Sequence, residues 1–155
     1  MTGIQVAFVD VYVLRWSQGG LEVLTIRRGE QGRCPGSWEA VHGTIEEGET
    51  PVQAALRELR EETGLRADRL YNGSRVELFY RHAAREVALV PVFVAFVDVP
   101  QEVRLSPEHD RAAWLAPGDA AARFAWPRER HAVADLVSMF GSGGGGLLED
   151  VLRVG

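Results

Sequence analysis

Runs of apolar residues in the first part of the chain predict β-strands. Ile4–Trp16 and Leu21–Arg28 are rich in Val, Leu, Ile and aromatic residues and show little helical period, and Ser17–Gly20 supplies a turn between them. We therefore predict a β-hairpin here. A loop with three glycines, Gly29–Ser37, follows it, and Trp38–His42 is predicted to be a short extended piece.

The clearest helix is bounded by capping residues at both ends. Thr50 is a good N-cap, Pro51 takes the first helical position, and Gln53 completes a capping box. Gly64 supplies the C-terminal stop. The positions predicted to face the core share one side of this helix; they are Val52, Leu56, Leu59 and Thr63, with Ala55 at the border.

A second hairpin is predicted in the middle of the chain, with Tyr71–His82 and Glu86–Val99 as its strands. Val87–Val97 is apolar on both faces, so we expect it at the centre of a sheet. Pro91 lacks a backbone N–H, which predicts a bulge or an unpaired position at that point.

The last part of the chain mixes a short strand, Ala112–Leu115, with two helices, Gly118–Phe124 and Pro127–Phe140. The irregular alternation of strands and helices predicts an α/β fold with a mixed sheet between helical layers. Residues 1–140 are predicted to form a single domain. Residues 141–155 are predicted to be a flexible Gly-rich linker and a C-terminal tail, either a helical turn or a disordered end.

Composition and charge narrow the function classes. With 155 residues, 46% of them apolar, the chain can bury a core without disulfides or a structural metal. The net charge of −5 argues against broad binding to nucleic acid, which needs a basic face. No apolar run reaches the ~20 residues that a membrane helix needs. The single cysteine, Cys34, lies in a Gly/Pro loop, which predicts an exposed thiol and fits a reducing cytoplasm.

Three carboxylates stand close together on the predicted helix. Glu58, Glu61 and Glu62 are at i, i+3 and i+4, so they project from one side of the helix, away from the apolar stripe. Such a cluster is either an ordinary charged surface or a hard-cation site, because carboxylate oxygens suit Mg²⁺ or Mn²⁺. Arg57 and Arg60 flank the acids but are predicted to point away from them, Arg57 by the smaller angle.

The sequence around these acids decides between the two interpretations. It reads GTIEEGETPVQAALRELREETGL and fits the pattern G-x5-E-x7-R-E-U-x-E-E-x-G-U, with U aliphatic, at every position. A chance match in this chain is on the order of one in a million, at a usage of about one in fifteen per residue type. The chain thus resembles the Nudix hydrolase family, whose α/β/α sandwich also fits the predicted order of elements. The matching residues are Gly43, Glu49, Arg57, Glu58, Leu59, Glu61, Glu62, Gly64 and Leu65.

The resemblance implies Mg²⁺-dependent cleavage of a diphosphate linkage, with Mn²⁺ as an alternative ion. It implies that the metal is ligated by the three helix acids and by the backbone carbonyl of His42. It also implies that Glu49 and Arg57 form a pair that orients the acids. The metal would neutralise the diphosphate and lower the pKa of the attacking water. The residues expected to take part in catalysis are Glu58, Glu61, Arg57 and Glu108.

Details around the motif resemble one branch of the family. Ser37–Gly43 reads SWEAVHG, with Val-His where many members have Pro-Gly, and this is similar to the dihydroneopterin triphosphate or dATP pyrophosphohydrolases. By the same analogy Glu108, on a later loop, is the candidate for a general base or an added metal ligand. Its neighbours His109 and Asp110 are the alternatives to it, and a solvated loop acid is the other interpretation.

Three further residues are candidates for substrate contacts. Arg27 and Arg28 end the second strand, where related enzymes place a basic side chain near substrate phosphates. Because side chains alternate along a strand, only one of the two can point inward. Trp38 is expected either to stack on a ring of the substrate or to lie in the core.

The resulting prediction is a Mg²⁺-dependent pyrophosphohydrolase. It would cleave a nucleoside-type triphosphate, either dihydroneopterin triphosphate or a dATP-like substrate, to a monophosphate and pyrophosphate. Its only expected partner is this small nucleoside or pterin polyphosphate, bound by a monomer or a homodimer in the cytoplasm. The alternatives are a housecleaning hydrolase of oxidised nucleotides or dinucleoside polyphosphates, a catalytically silent ligand-binding domain, and an isomerase of diphosphate substrates. The intact acids argue against the silent domain.

Overall fold

The predicted N-terminal hairpin is present, but its first strand is divided in two. In the computed structural model, which describes residues 1–155, β1 (Gly3–Val6) and β2 (Phe8–Ser17) are separated at Ala7, and β2 turns back into β3 (Gly20–Arg28). Both β1 and β2 pair in parallel with the same later strand, and the register between them shifts by one residue. One extra residue therefore sits at the break as a β-bulge, which the apolar pattern alone did not reveal.

Most of the remaining elements agree with the predicted ones, but the extended piece predicted at 38–42 is two strands divided at Ala40, and the strand predicted at 112–115 begins at His109. The other strands are β4 (Trp38–Glu39), β5 (Val41–Thr44), β6 (Arg69–Arg81), β7 (Glu86–Phe96) and β8 (His109–Leu115). The helices are α1 (Pro51–Thr63), α2 (Pro117–Arg123), α3 (Pro127–Phe140) and α4 (Glu149–Leu152), the last preceded by a 3₁₀ turn at Gly146–Leu148.

Strand β7 lies inside the sheet, as its two apolar faces predict. It pairs in parallel with β1 and β2 on one side and antiparallel with β6 on the other. On the far side of β2 lie β3 and β5, and β3 in turn pairs with β4 and β8. Opposite Pro91, the register of β6 shifts between Asn72 and Val76, which confirms the predicted bulge. There Ser74 takes a φ of 54° and donates its N–H to the side chain of Asn72 at 2.8 Å.

Helices cover both faces of the sheet, so the α/β/α sandwich is confirmed. Helix α1 packs Ala54, Ala55 and Leu59 against one face of β2, β3 and β7. Helices α2 and α3 pack against the opposite face, where alternate residues of the same strands point. The sheet thus separates two apolar clusters, and α1 is fixed along its whole length against one of them.

The caps of α1 are those that the sequence predicts. Thr50 and Gln53 form the reciprocal capping box, and Gly64 ends the helix with a φ of 72°. The predicted apolar face needs one correction, because Leu56 is 44% exposed while Ala55 and Glu62 are buried. The core-facing side is rotated relative to the expected stripe, because β5 packs beside this helix and covers Glu62 instead.

The last fifteen residues lie against β6. Val154 donates its N–H to the carbonyl of Leu70 at 2.8 Å, and Leu152 is buried in the cluster under α3. Tyr71 donates its hydroxyl to Glu149 at 2.8 Å. Of the two forms left open for the tail, the structure shows the helical turn. None of the helices is both long enough and apolar enough to cross a membrane.

Candidate active site

The site is built where the loop after β5 and helix α1 approach each other most closely. A Cβ placed on Gly43 would overlap Cδ of Glu58, so any larger residue here must displace the side chain of Glu58. The backbone N–H of His42, one residue earlier, donates to the carboxylate of Glu62 at 3.3 Å. Strand β5 therefore packs directly against the acidic side of the helix.

The three helix acids differ greatly in exposure. Glu62 is 5% exposed and the side chain of Glu58 is 12% exposed, whereas the side chain of Glu61 is 59% exposed. Burial, together with the charges of Glu58 and Glu108, raises the pKa of Glu62 to about 9. Burial also raises the pKa of Glu58, although Arg57 opposes this. Two buried carboxylates side by side are unfavourable unless a cation joins them.

Arg57 lies at the centre of the acids rather than away from them, which corrects the direction predicted from helix geometry. Its guanidinium donates to Glu58 at 2.8 Å and to Glu61 at 3.1 Å. It also makes two hydrogen bonds to Glu49, at 2.8 and 2.9 Å, and one to the carbonyl of Thr44 at 2.8 Å. These bonds lower the pKa of Glu49 to about 2. Arg57 bends back along its own helix, and this single side chain fixes the positions of three carboxylates.

The loop before β8 and the first residue of that strand bring two further groups to the acids. Ligand atoms of Glu62, Glu108 and His109 all lie within 4.8 Å of one another. The loop is held by a backbone hydrogen bond from Ser106 to the carbonyl of Glu62, at 3.3 Å. Glu108 keeps a side chain that is 62% exposed, so it can reach a bound molecule.

The two arginines at the end of β3 point in different directions and have different partners. Arg27 forms a two-bond ion pair with Asp110, at 2.7 and 2.8 Å, and does not line a cavity beside the acids. Arg28 points the other way, is 8% exposed, and lies 3.5 Å from Glu108. The pairing of β3 with β8 shifts between these two residues, which aims Arg28 at the acids.

Two cavities meet at this site. The first, of about 600 Å³, is lined by the acids, Arg57, Arg28, Glu108 and the 43–46 segment. The second, of about 340 Å³, adjoins it and shares Phe8, Arg33, His42 and Thr44 with it. Phe79 and Trp126 form aromatic walls of the second cavity, with their rings edge to face at 6.1 Å. Trp38 lines neither cavity. The guanidinium of Arg123 lies over its ring, with Cζ 4.6 Å from the ring centroid.

Sequence reasoning missed a buried ionic network beneath the second cavity. Asp10, with no exposed surface, accepts hydrogen bonds from Arg128 at 2.9 and 3.2 Å and lies 2.7 Å from Nδ1 of His42. Burial alone would raise the pKa of Asp10, but His42 and Arg128 outweigh it and hold the pKa below its usual value. The available signal was an aspartate inside an otherwise apolar strand.

Two more buried carboxylates support the cavity walls. Glu39 accepts the indole N–H of Trp126 at 2.9 Å and lies 3.7 Å from the guanidinium of Arg28. Glu129, fully buried at the start of α3, accepts the backbone N–H of Ala40 at 2.6 Å. Burial raises the pKa of Glu129 well above its usual value. These bonds connect α3 to the β4–β5 segment that carries His42.

Replacing Gly43 with alanine should disturb the site more than the fold. The new methyl group must displace the side chain of Glu58, and the loss of an oriented carboxylate typically costs 10–100-fold in activity or metal affinity. We expect kcat to fall by about that factor, with the melting temperature measured in parallel. Gly118→Ala is the matched control, since nothing lies within 4 Å of its added Cβ. Equal activity of the two variants would show that the close contact between Gly43 and Glu58 does not position the carboxylate for catalysis.

Comparison with known proteins identifies a family and several relatives of similar sequence. The NUDIX domain family model matches residues 6–136. An octanoyltransferase of Myxococcus xanthus is 43% identical over 100 residues, which are 60% of this chain and 26% of that protein. The asymmetrical bis(5'-nucleosyl)-tetraphosphatase of Mus musculus is 36% identical over 80 residues, 50% of this chain and 54% of the relative. Dihydroneopterin triphosphate diphosphatase of Escherichia coli is 41% identical over 54 residues, 35% of this chain and 34% of the relative. The chain thus spans between about a quarter and just over half of the length of these curated relatives.

Solved structures have the same fold along most of their length. An Ap4A hydrolase binary complex from C. elegans superposes with a TM-score of 0.73 at 22% identity, covering 87% of this chain and 97% of that one. The E. coli dihydroneopterin triphosphate pyrophosphohydrolase superposes with a TM-score of 0.68 at 26% identity, covering 84% of this chain and 94% of that one.

Proposed function

The chain belongs to the NUDIX domain family, and from this premise we propose that it is a metal-dependent hydrolase of a phosphoric anhydride. The substrate that we propose joins one aromatic ring to a polyphosphate, as a nucleoside or pterin triphosphate does. The observation that carries the proposal is the direct contact between an acid-lined cavity and an aromatic-walled one. A ring in the second cavity would extend its phosphates into the first.

The residues of the first cavity suit a divalent cation. Glu62 is buried beside Glu58 and Glu108 with a pKa raised to about 9, so the protein without a cation must either protonate this group or tolerate unpaired negative charge. The donors within reach are carboxylate oxygens, with one imidazole, and oxygens are the ligands that Mg²⁺ prefers. Glu58, Glu61 and Glu62 would hold the ion, with the carbonyl of His42 as a further ligand.

The chemistry needs few other groups. When bound, the ion would neutralise phosphate oxygens and lower the pKa of the water that attacks phosphorus. Glu108 is proposed to accept the proton of that water, because its carboxylate is exposed to the cavity. Arg28 is proposed to contact the substrate phosphates, and Arg57 with Glu49 to keep the helix acids in place. Arg27 and Trp38 are left without a role in this scheme.

The lining of the aromatic cavity supports the proposal of a substrate that has one ring. Phe79 and Trp126 offer flat apolar surfaces, while Glu39 and Arg128 offer an acceptor and a donor for the polar edge of the ring. In the acid-lined cavity Phe8 is the one aromatic lining residue, and the aromatic cavity shares it, so a second ring would find no aromatic surface beyond the one that the first cavity already uses. This favours a triphosphate of one ring, cleaved to a monophosphate and pyrophosphate.

A dinucleoside polyphosphate is the second candidate substrate. The mouse and C. elegans proteins of similar sequence or fold are named for hydrolysis of such compounds. The acid-lined cavity is open and about 600 Å³ in volume, which leaves room for a longer phosphate chain. In this case one ring would occupy the aromatic cavity and the other would remain in solvent.

A phosphate-release screen with Mg²⁺, run with and without added inorganic pyrophosphatase, tests the proposal. The panel contains dihydroneopterin triphosphate, the four dNTPs, an oxidised dGTP and diadenosine tetraphosphate. We expect a signal that requires the pyrophosphatase, strongest for the pterin or for dATP. Direct release of ATP and AMP from the tetraphosphate, seen by chromatography, would instead favour the second candidate. If Mg²⁺ and Mn²⁺ support no turnover of any member, the hydrolase proposal for these substrates is wrong.

A further inference from the structure

Part of one face of the sheet, beyond the area that α1 covers, is apolar and has no helix packed on it. At the end formed by β1, β6 and β7, residues directly opposite each other on neighbouring strands point to the same side. Two such rows are Ile4–Val87–Tyr80 and Val6–Leu89–Leu78, and Val76 stands opposite Pro91 in a third. We call these eight residues the open face; every one of them is apolar or aromatic, and none is charged. They are Ile4, Val6, Val76, Leu78, Tyr80, Val87, Leu89 and Pro91.

The open face is exposed, in contrast to the opposite side of the same strands. Ile4 is 74% exposed, Leu78 is 68% exposed and Val76 is 56% exposed, whereas Ala88 and Val90, which alternate with Val87 and Leu89, are buried. The exposed fractions amount to on the order of 600 Å² of contiguous surface, the upper end of what a monomeric protein carries.

We infer that the open face is the contact between two copies of this chain, related by a two-fold axis through its central row of Val6, Leu89 and Leu78. An isologous interface places the same surface on both sides, so a face without charges meets a face without charges. Two copies of the open face would together bury about 1,200 Å², which is the lower end of the range for specific protein interfaces. A membrane as the occupant would call for a basic collar, whereas the chain has a net charge of −5.

The position of the open face links it to the proposed site. Phe79, between Leu78 and Tyr80, points to the other side of the sheet and lines the aromatic cavity, as do Arg81 and Val90. Pairing of two copies through the open face would therefore brace the β6–β7 hairpin that forms one wall of this cavity. The contact itself does not depend on the proposed function, because it uses the opposite side of the strands.

A charge placed on the open face tests the inference. We expect wild-type protein to sediment at close to twice 17.1 kDa at about 100 µM. Leu78→Arg introduces two arginines into the interface of each dimer, so the dimer dissociation constant should rise by at least about 100-fold. The matched control is Leu147→Arg, at a leucine that is fully exposed outside the open face. Circular dichroism of both variants checks that the fold is retained.

Cross-linking identifies the face independently of any loss of stability. In a Cys34→Ser background, Leu78→Cys should form a covalent dimer with a short bifunctional maleimide, and Leu147→Cys should not. A wild-type chain that stays monomeric up to about 100 µM would overturn the inference. So would dimers that survive Leu78→Arg, or a monomer that co-sediments with phosphatidylcholine vesicles through the open face.

Discussion

Replacing Glu62 with glutamine is expected to lower kcat by about 1,000-fold or more. A weakened metal site stabilises the charge of the transition state less, which raises the activation free energy by several kcal/mol. Glutamine keeps the size of the side chain and can still accept the N–H of His42. It cannot supply the negative oxygen that a divalent cation binds. Steady-state hydrolysis of the best substrate of the screen, at a series of Mg²⁺ concentrations, measures the effect. Glu47→Gln, at an exposed glutamate before the helix, is the control.

The same substitution should stabilise the metal-free protein, which separates a functional loss from misfolding. The pKa of Glu62 is about 9 in the folded state against 4.5 as its ordinary value. Since the folded-state pKa is the higher one, the stability of the wild type falls as pH rises from about 4.5 towards 9, by at most about 1.4 kcal/mol per unit. Glu62→Gln lacks this dependence.

Melting temperatures in EDTA across this range therefore check the assignment of Glu62. The difference between Glu62→Gln and wild type should grow with pH, and added Mg²⁺ should raise the melting temperature of the wild type more than that of the variant. Near-normal turnover by Glu62→Gln, or parallel pH profiles of the two proteins in EDTA, would show that Glu62 is not part of a cation site.

Arg128→Ala is expected to cause the largest loss of folding stability, about 3–5 kcal/mol. It leaves the fully buried carboxylate of Asp10 with His42 as its one remaining partner. Denaturant unfolding at pH 7 measures the loss, with Arg66→Ala as the control at an exposed arginine whose side chain makes no ion pair. Activity should fall as well, because Asp10 and Arg128 hold the residue next to Gly43.

A double variant distinguishes an unpaired charge from simple loss of packing. Asp10→Asn removes the charge that Arg128 balances, so adding it to Arg128→Ala should recover a large part of the stability. A coupling free energy of 1 kcal/mol or more between the two positions is expected. Strictly additive losses would mean that Arg128 acts through packing of its apolar stem alone.

The sequence by itself determined the acidic helix and the order of elements. The capping residues fix where α1 begins and ends, and the 3.6-residue period then puts Glu58, Glu61 and Glu62 on one side whatever the helix packs against. The hairpins and the central position of β7 follow from turn residues and from strands that are apolar on both faces. These features depend on neighbours along the chain, and such neighbours are visible in a sequence.

Only the tertiary structure decided which side chains meet the acids from elsewhere. A bulge between β3 and β8 turns Arg28 inward and leaves Arg27 paired with Asp110, and alternation alone could not choose between them. Trp126 lines the aromatic cavity and the candidate Trp38 does not, because the start of α3 packs over β4. Asp10 and Arg128 meet across more than a hundred residues of chain. Such contacts arise from the packing of whole layers, whose relative placement leaves no periodic signal in the sequence.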